Sequence, residues 1–403
     1  MLYGIEFLRS KLASKRTRVM TRYRYYDMKH VADDLGISSP PNLRSWMNCL
    51  GWCAKAVDSL SDRLVFREFA EDNFNLNEIF AMNNPDVLFP SAIHGALVTS
   101  CDFIYLSADE DGYPRLQVID GGNATGIIDP ITGMLTEGYA VLDRDRYGQA
   151  VLEAYFIPTR TEYYQRGSKN VQIFTHKAPY PLLVPIINRP DAVRPFGHSQ
   201  ISRACMSIAD SAMRTVKRSE ISAEFYSVPQ KYALGTDPDA EPMDKWTAAM
   251  SAILEITKDQ DGDVPTVGQF QQQAMTPHFE QLRMFASLFA GETGLTLEDL
   301  GFSSGNPASS DAIKASHENL RLKARAAQRT FGSGFLNAGY LAACLRDGQS
   351  YRRNQLYLTK PKWEPIFEPD AAALSGIGDA VIKLQQAFPD YFGEDKLKDL
   401  TGI

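Results

Sequence analysis

Residues 199–292 constrain this chain most, because they hold two amphipathic helical patterns separated by an acidic segment. In the first pattern Ile201, Cys205, Ile208, Ala212 and Val216 keep one face, while Arg203, Arg214, Lys217 and Arg218 lie elsewhere around it. In the second, opened by Pro277, Phe279, Leu282, Phe285 and Leu288 share a face, and the pattern ends near residues 291–294. Between them lie Asp237, Asp239, Glu241, Asp244, Glu255, Asp259, Asp261 and Asp263, against only Lys245 and Lys258. So acidic a segment predicts a small α/β excursion around Trp246, exposed on several sides. Helix, insert and returning helix describe a stalk with a knob. The apolar stripe of such a stalk must be covered, and copies of the same stalk are the economical cover, so a homo-oligomer is expected.

Composition narrows the class. The chain has 403 residues, of which 44% are hydrophobic, enough for two or three compact units. A net charge of −7 argues against a surface that grips phosphates through clustered Lys and Arg. The five cysteines, Cys49, Cys53, Cys101, Cys205 and Cys344, form no C-x-x-C pair and are expected to be reduced and mostly buried. Cys49 and Cys53 are followed by no ligand at zinc spacing, so no metal is expected. No run approaches the roughly 18 apolar residues of a membrane span, and the N-terminus lacks a signal-type apolar core. An intracellular, soluble protein without membrane contact is expected.

The start of the chain is basic (Arg9, Lys11, Lys15, Arg16, Arg18, Arg22, Arg24, Lys29) and ends in Tyr23-Arg24-Tyr25-Tyr26. Such a pattern suits nucleic acid, but a solvated helix or an arm on a neighbouring subunit is the simpler expectation. Leu43, Met47, Leu50, Ala54, Val57 and Leu64 predict one long buried helix. Between Cys101 and Ile187 alternation and turns take over, predicting strands at 103–106, 115–119, 138–142, 151–157 and 171–174 in an antiparallel meander. Asp109, Asp111 and Gly112 resemble a calcium loop, but Val118 stands where its bidentate Glu belongs, so a hairpin turn is expected. From residue 309 to 346, Ile313, Leu320, Ala324, Ala327, Phe331, Ala338, Ala342 and Leu345 form the longest helical stripe, about 57 Å if continuous. Gly332, Gly334 and Gly339 predict a bend in it. Residues 355–358 and Trp363-Glu364-Pro365 predict strand and turn, and 371–388 a further helix. The fold class is α+β.

Gly301-Phe302-Ser303-Ser304-Gly305 fits the G-x-S-x-G pattern of a hydrolase nucleophile elbow. An elbow needs a hydrophobic strand entering and a helix leaving at once. Here Leu295-Thr296-Leu297-Glu298-Asp299-Leu300 is short and acidic, and Asn306-Pro307 forces a turn. The only later histidine, His317, falls within the next helical pattern. A serine hydrolase using Ser303 is therefore the lesser alternative, and no catalytic residue is named. The preferred expectation is a mobile Gly- and Ser-rich loop, with Ser309 and Ser310 as caps and Asp311 suited to the macrodipole of the following helix. No phosphate loop or complete dinucleotide fingerprint occurs, so no cofactor is expected.

Taken in order, the segments resemble the portal proteins of tailed bacteriophages, of the siphophage type, over nearly the whole chain. The residues that carry the resemblance are Val184-Pro185-Ile186-Ile187-Asn188-Arg189, Phe196-Gly197-His198-Ser199-Gln200-Ile201, Leu300-Gly301-Phe302, Asn306, and Ser309-Ser310-Asp311-Ala312-Ile313-Lys314-Ala315, with 23–27 and 129–133. The resemblance implies a dodecameric ring around a DNA channel at one capsid vertex, assembled in the host cytoplasm and carried in the virion. Residues 1–198 would be the α/β wing, 199–224 the first stem helix, 225–276 a small α/β clip, and 277–292 the second stem helix. Residues 293–308 would be a tunnel loop, 309–369 the long wing helix and strand, and 370–403 the start of a crown; relatives continue beyond this point, so further crown sequence is expected. Thr296, Glu298, Asp299, Ser303, Ser304 and Asn306 would face DNA. Asp237, Asp239, Glu241, Asp244, Trp246, Asp259, Asp261 and Asp263 would meet the terminase motor or a head-completion adaptor. The implied partners also include the major capsid protein, a scaffold and double-stranded DNA passing without sequence recognition. A channel lined by neutral and acidic side chains lets a polyanion pass without sticking, which agrees with the chain's acidic balance. A minor capsid protein without a channel is a further alternative.

Overall fold

The structure is a computed structural model that describes residues 2–33, 46–227, 231–235, 266–269, 274–302, 310–367, 371–387 and 393. It divides into a larger unit of residues 1–30, 51–206 and 291–403, and a smaller unit of 31–50 and 207–290.

The larger unit is built on two antiparallel sheets. One places β2 (Cys101–Ala108) between β3 (Pro114–Ile119) and β9 (Leu183–Ile187). The other is a five-stranded meander of β4 (Ala124–Ile128), β5 (Leu135–Arg144), β6 (Ala150–Ile157), β7 (Arg160–Gln165) and β8 (Val171–Thr175). The meander expected from alternation is therefore present, but the strands at 103–106 and 115–119 belong to the other sheet. Phe103, Ile104 and Leu106 of β2 are all fully buried, as a central strand covered on both faces requires. Pro185 sits in β9, at the edge of its sheet, where a missing N–H costs no ladder bond.

Around these sheets lie α1 (Ile5–Tyr26), α2 (Trp52–Ser61), α3 (Leu76–Ala81), α4 (Pro85–Thr99), α7 (Ser310–Ser316), α8 (Glu318–Arg346) and α9 (Ala371–Ala387). A further pair, β1 (Phe66–Ala70) with β12 (Lys360–Trp363), runs antiparallel. Phe66, Phe89, Phe335 and Trp363 meet between them, with ring centroids 4.3 Å apart for Phe66–Phe89 and 4.7 Å for Phe89–Phe335. Such pairs add about 0.5–1.5 kcal/mol each beyond the area they bury.

The glycines of the long helix have a different role from the one expected. Helix α8 runs unbroken from Glu318 to Arg346, through Gly332, Gly334 and Gly339. A Cβ at Gly332 would lie 2.7 Å from Pro361 Cγ, and one at Gly334 2.8 Å from Ile186 Cδ1. At Gly339 it would lie 3.0 Å from Leu76 Cδ1. The glycines thus admit β12, β9 and α3 to close approach. The interruption falls at His317, whose φ of −92° and ψ of 11° separate α7 from α8.

The helix expected over 43–64 is also corrected. Its helical part is α2, and residues 46–50 are irregular. Its periodic stripe joins residues of two units, with Met47 exposed and Val57 fully buried. Residues 353–356 form a 3₁₀ turn in place of the expected strand, held as Arg352 N–H donates to Gln355 Oε1 at 2.8 Å.

The smaller unit contains most of α5 (Arg203–Ser227) and α6 (Thr276–Thr293), the two helices expected to flank the acidic insert. Hairpin strands β10 (Lys231–Leu234) and β11 (Thr266–Gln269) pair antiparallel at the two ends of that insert. Asp237, Asp239, Glu241, Asp244, Trp246, Asp259, Asp261 and Asp263 lie outside the described residues.

Candidate functional site

Residues 293–302 leave α6 and form a ledge in the larger unit. The helix end is closed in three ways. Lys323 Nζ, from α8, donates to Glu292 O at 2.9 Å and Thr293 O at 2.7 Å. Gln200 Nε2 donates to Thr293 O at 3.3 Å, and Ser202 Oγ to Glu292 Oε1 at 2.7 Å. A cation on the last carbonyls satisfies orphan acceptors and opposes the negative end of the helix dipole. Burial lowers the Lys323 ammonium, with Arg189 adding to it. Gly294 then takes φ +83°, the left-handed conformation that ends the helix.

The ledge itself is fastened by a Thr-x-x-Asp pattern. Asp299 Oδ2 accepts from Thr296 N at 2.9 Å and Thr296 Oγ1 at 3.0 Å, while Asp299 N–H donates to Thr296 Oγ1 at 3.2 Å. This reciprocal bonding is that of a capping box, set just ahead of the 3₁₀ turn Glu298–Leu300. His317 Nε2 meets Asp299 Oδ2 at 3.2 Å, and its Nδ1 faces Ile313 O at 2.9 Å. Burial on its own would raise the Asp299 carboxyl, but the Thr296 amide and hydroxyl and His317 outweigh it and hold the group below the usual carboxylate range. Gly301 closes the turn at φ +91°, its N–H donating to Glu298 O at 3.0 Å, and Phe302 N–H donates to Leu297 O at 3.0 Å. Leu295 and Leu300 are buried beneath.

Of the expected loop residues, the structure thus brings Thr296, Glu298 and Asp299 together, and Ser303, Ser304 and Asn306 lie outside the described residues. The expectation of a pliant loop fails for residues 293–302, whose backbone and side chains are tied to each other and to α8. Asp299 turns inward to Thr296 and His317, so Glu298 is the exposed carboxylate of the pair. The segment entering the G-x-S-x-G pattern is the 3₁₀ turn Glu298–Leu300, closed by left-handed Gly301, not a strand. Both His317 ring nitrogens already face acceptors. Neither supports a nucleophile elbow. The fastening roles of Lys323 and Gln200 escaped the sequence reading, since contacts across 30 or 93 residues leave no local signal; the Thr296-x-x-Asp299 spacing was a signal that could have found the turn.

The basic start of the chain is the second candidate, and four of its cations are taken up by the fold, while Arg18, Arg24 and Lys29 are exposed. Lys11 Nζ donates to Gly126 O at 2.7 Å and Lys15 Nζ to Ala124 O at 3.0 Å, both on edge strand β4. Arg22 Nη1 donates to Thr99 O at 3.0 Å, and Arg9 pairs with Glu153. Glu137, almost fully buried, accepts from Tyr3 N at 2.6 Å, Gly4 N at 3.1 Å and Tyr155 Oη at 2.8 Å, which anchors the start of α1. Lys15 stands 5.2 Å from the Phe103 ring centroid, and burial lowers its ammonium. Nearby Asp102, buried on β2, accepts from Thr99 Oγ1 and Gly121 N, each at 2.9 Å. Burial, then Asp120, pushes its carboxyl up to about 7. The expected solvated or neighbour-bound arm is therefore a helix packed on its own unit.

Among the described residues no three His, Cys, Asp or Glu side chains gather as a metal site, and no helix is long and apolar enough to cross a membrane. Cys53, Cys101, Cys205 and Cys344 are buried free thiols, and Cys49 is exposed.

Known proteins resemble the chain over most of its length. It is 24% identical over 395 residues to the portal protein of Mycobacterium phage D29, an alignment covering 91% of this chain and 80% of that protein. The portal protein of Mycobacterium phage L5 matches at 24% over 395 residues, covering 90% and 80%. The chain is a homologue of tailed-phage portal proteins. Among solved structures, the chain is similar to one of the virion of a native gene transfer agent particle, at TM-score 0.48 and 12% identity, covering 96% of this chain and 93% of that one. A chain from the neck of the native particle, computed with C12 symmetry, follows at TM-score 0.47 and 14% identity, covering 87% and 89%. No family model matches the chain.

Proposed function

We propose that this chain is the subunit of a ring-shaped portal at one capsid vertex, a structural conduit through which double-stranded DNA enters and leaves the head. The observation that carries this reading is the near full-length alignment with two phage portal proteins. The physical features agree with it. The acidic balance disfavours a conduit that holds DNA by released counterions. Two long helices flank an acidic insert, which suits a stem with a clip that docks the terminase motor and, after packaging, a head-completion adaptor. The capsid protein and a scaffold are the remaining expected partners, the virion is the final location, and no cofactor or catalysis is required.

Within this reading residues 293–302 border the channel as a stiff lip. The lip meets DNA through Glu298 and the residues that follow Phe302, and it repels the duplex more than it reads it. Asp299 supports the lip from within.

Electron microscopy of the purified protein tests the reading. A ring with a central hole is the expected image, and a protein that stays monomeric at micromolar concentration in sedimentation would refute it. Glu298→Lys, repeated around the ring, is expected to slow packaging in a reconstituted assay; unchanged packaging would remove Glu298 from the channel wall.

A further inference from the structure

Helix α8 carries two adjoining clefts of about 480 and 590 Å³ that share Arg329. In the first, Leu322, Arg325 and Arg329 face Pro361 and Trp363. The second is walled by Pro130, Pro185, Pro190 and Pro195, and it also holds Asp129 and Asp191, each hydrogen-bonded within its own loop. Arg325 and Arg329 stand one turn apart, both exposed, and among the described residues neither forms a hydrogen bond or a close ion pair. Loops flanking the second cleft hold the two most exposed large apolar side chains among those described, Ile131 at 91% and Val193 at 87%. Apolar rims beside unpaired cations mark a surface awaiting a partner with apolar and acidic groups. They suit a phosphate backbone poorly, since Asp129 and Asp191 also line the second cleft.

The same unit carries an acidic counterpart. Between α3 and the first turn of α4, Met82 is 56% exposed and Val87 57% exposed. Glu78 and Asp86 flank them, both exposed and, among the described residues, without a hydrogen bond or close ion pair, although Arg346 lies within electrostatic range of Glu78 and Arg115 donates to Met82 O at 3.2 Å. A ring is made by heterologous contacts, in which two unlike surfaces of one chain meet on neighbouring copies. Charge and apolar character match between these two.

We propose that the α8 groove around Arg325 and Arg329 receives the Glu78–Asp86 surface of a second copy of this chain. The inference rests on the ring reading and names the faces that close it. Charge steers the encounter and fixes its register, while Ile131, Val193, Met82 and Val87 supply the buried apolar contact.

Charge reversal tests the pairing in the full chain. Arg325→Glu with Arg329→Glu, and separately Glu78→Lys with Asp86→Lys, are each expected to weaken subunit association tenfold or more in sedimentation velocity. All four changes together are expected to restore rings seen by electron microscopy, and circular dichroism confirms that each variant is folded. Groove variants that assemble as the unmodified chain does would overturn the inference and leave the ring reading intact. A folded quadruple variant that stays dissociated would overturn the pairing of these two surfaces. An unmodified chain that never forms rings would sink both.

Discussion

Helices α1 and α8 are both rich in basic residues, and they use them on different partners. On α1 four of these groups are used within the unit, Lys11 and Lys15 on the carbonyls of β4, Arg22 on Thr99 O and Arg9 on Glu153, while Arg18 and Arg24 are exposed. On α8, Lys323 reaches the carbonyls at the end of α6 and Arg346 reaches Phe74 O, while Arg325 and Arg329 stay on the outside. Counting cations would rank α1 as the better candidate for an anionic partner. What decides is how many of them the fold has already used.

The contrast is broken most directly at Lys15. Lys15→Glu places a carboxylate beside buried Asp102, and a loss above about 4 kcal/mol in chemical denaturation is expected. A loss below about 1 kcal/mol would mean that α1 is not fastened to the sheet in this way. Asp102 sharpens the point through pH. Its carboxyl, raised to about 7 in the folded protein from an ordinary 3.8, binds a proton more tightly when folded. Its contribution is therefore fully present below about pH 4 and is lost as pH rises to about 7, by at most about 4 kcal/mol. Asp102→Asn should flatten the stability profile across that window, and an unchanged slope would assign the dependence elsewhere.

The ledge should respond less. Asp299→Asn weakens the bonds to Thr296 and His317 and is expected to cost about 1–2 kcal/mol. With the Asp299 carboxyl held low, its stabilising effect is present above its unfolded value and fades as pH falls through the folded one, so the variant should lose less stability in acid than the original chain. Smallest of all, Arg325→Gln with Arg329→Gln should change monomer stability by no more than about 0.5 kcal/mol, because exposed cations without partners contribute little. A large loss there would erase the distinction between the two helices.

Much of this architecture was legible in the sequence. Turn residues between strand-forming runs located β5, β6 and β8 of the meander, although their burial does not alternate, and the stripe from Leu320 to Leu345 revealed α8 because that face is core. Misreadings arose where a local pattern had a distant cause. The apparent helix over 43–64 merged residues from two units. The α8 glycines read as a bend when they are sites of contact with β12, β9 and α3. Residues 293–302 read as a pliant loop because Gly, Ser and Thr are common in loops, while the groups that stiffen them, Lys323, Gln200 and His317, lie far along the chain. For the acidic segment, the expected contact residues lie outside the described ones, and their role stays a proposal.

The three glycine notches leave α8 no freedom to slide. Advancing the helix by one residue would drive Ser333, Phe335 or Tyr340 into gaps that admit only a hydrogen atom, so it must travel with its sheets as one piece. The backbone break at His317 lies outside these notches, and through Asp299 the same side chain couples the ledge to the near end of this locked shaft.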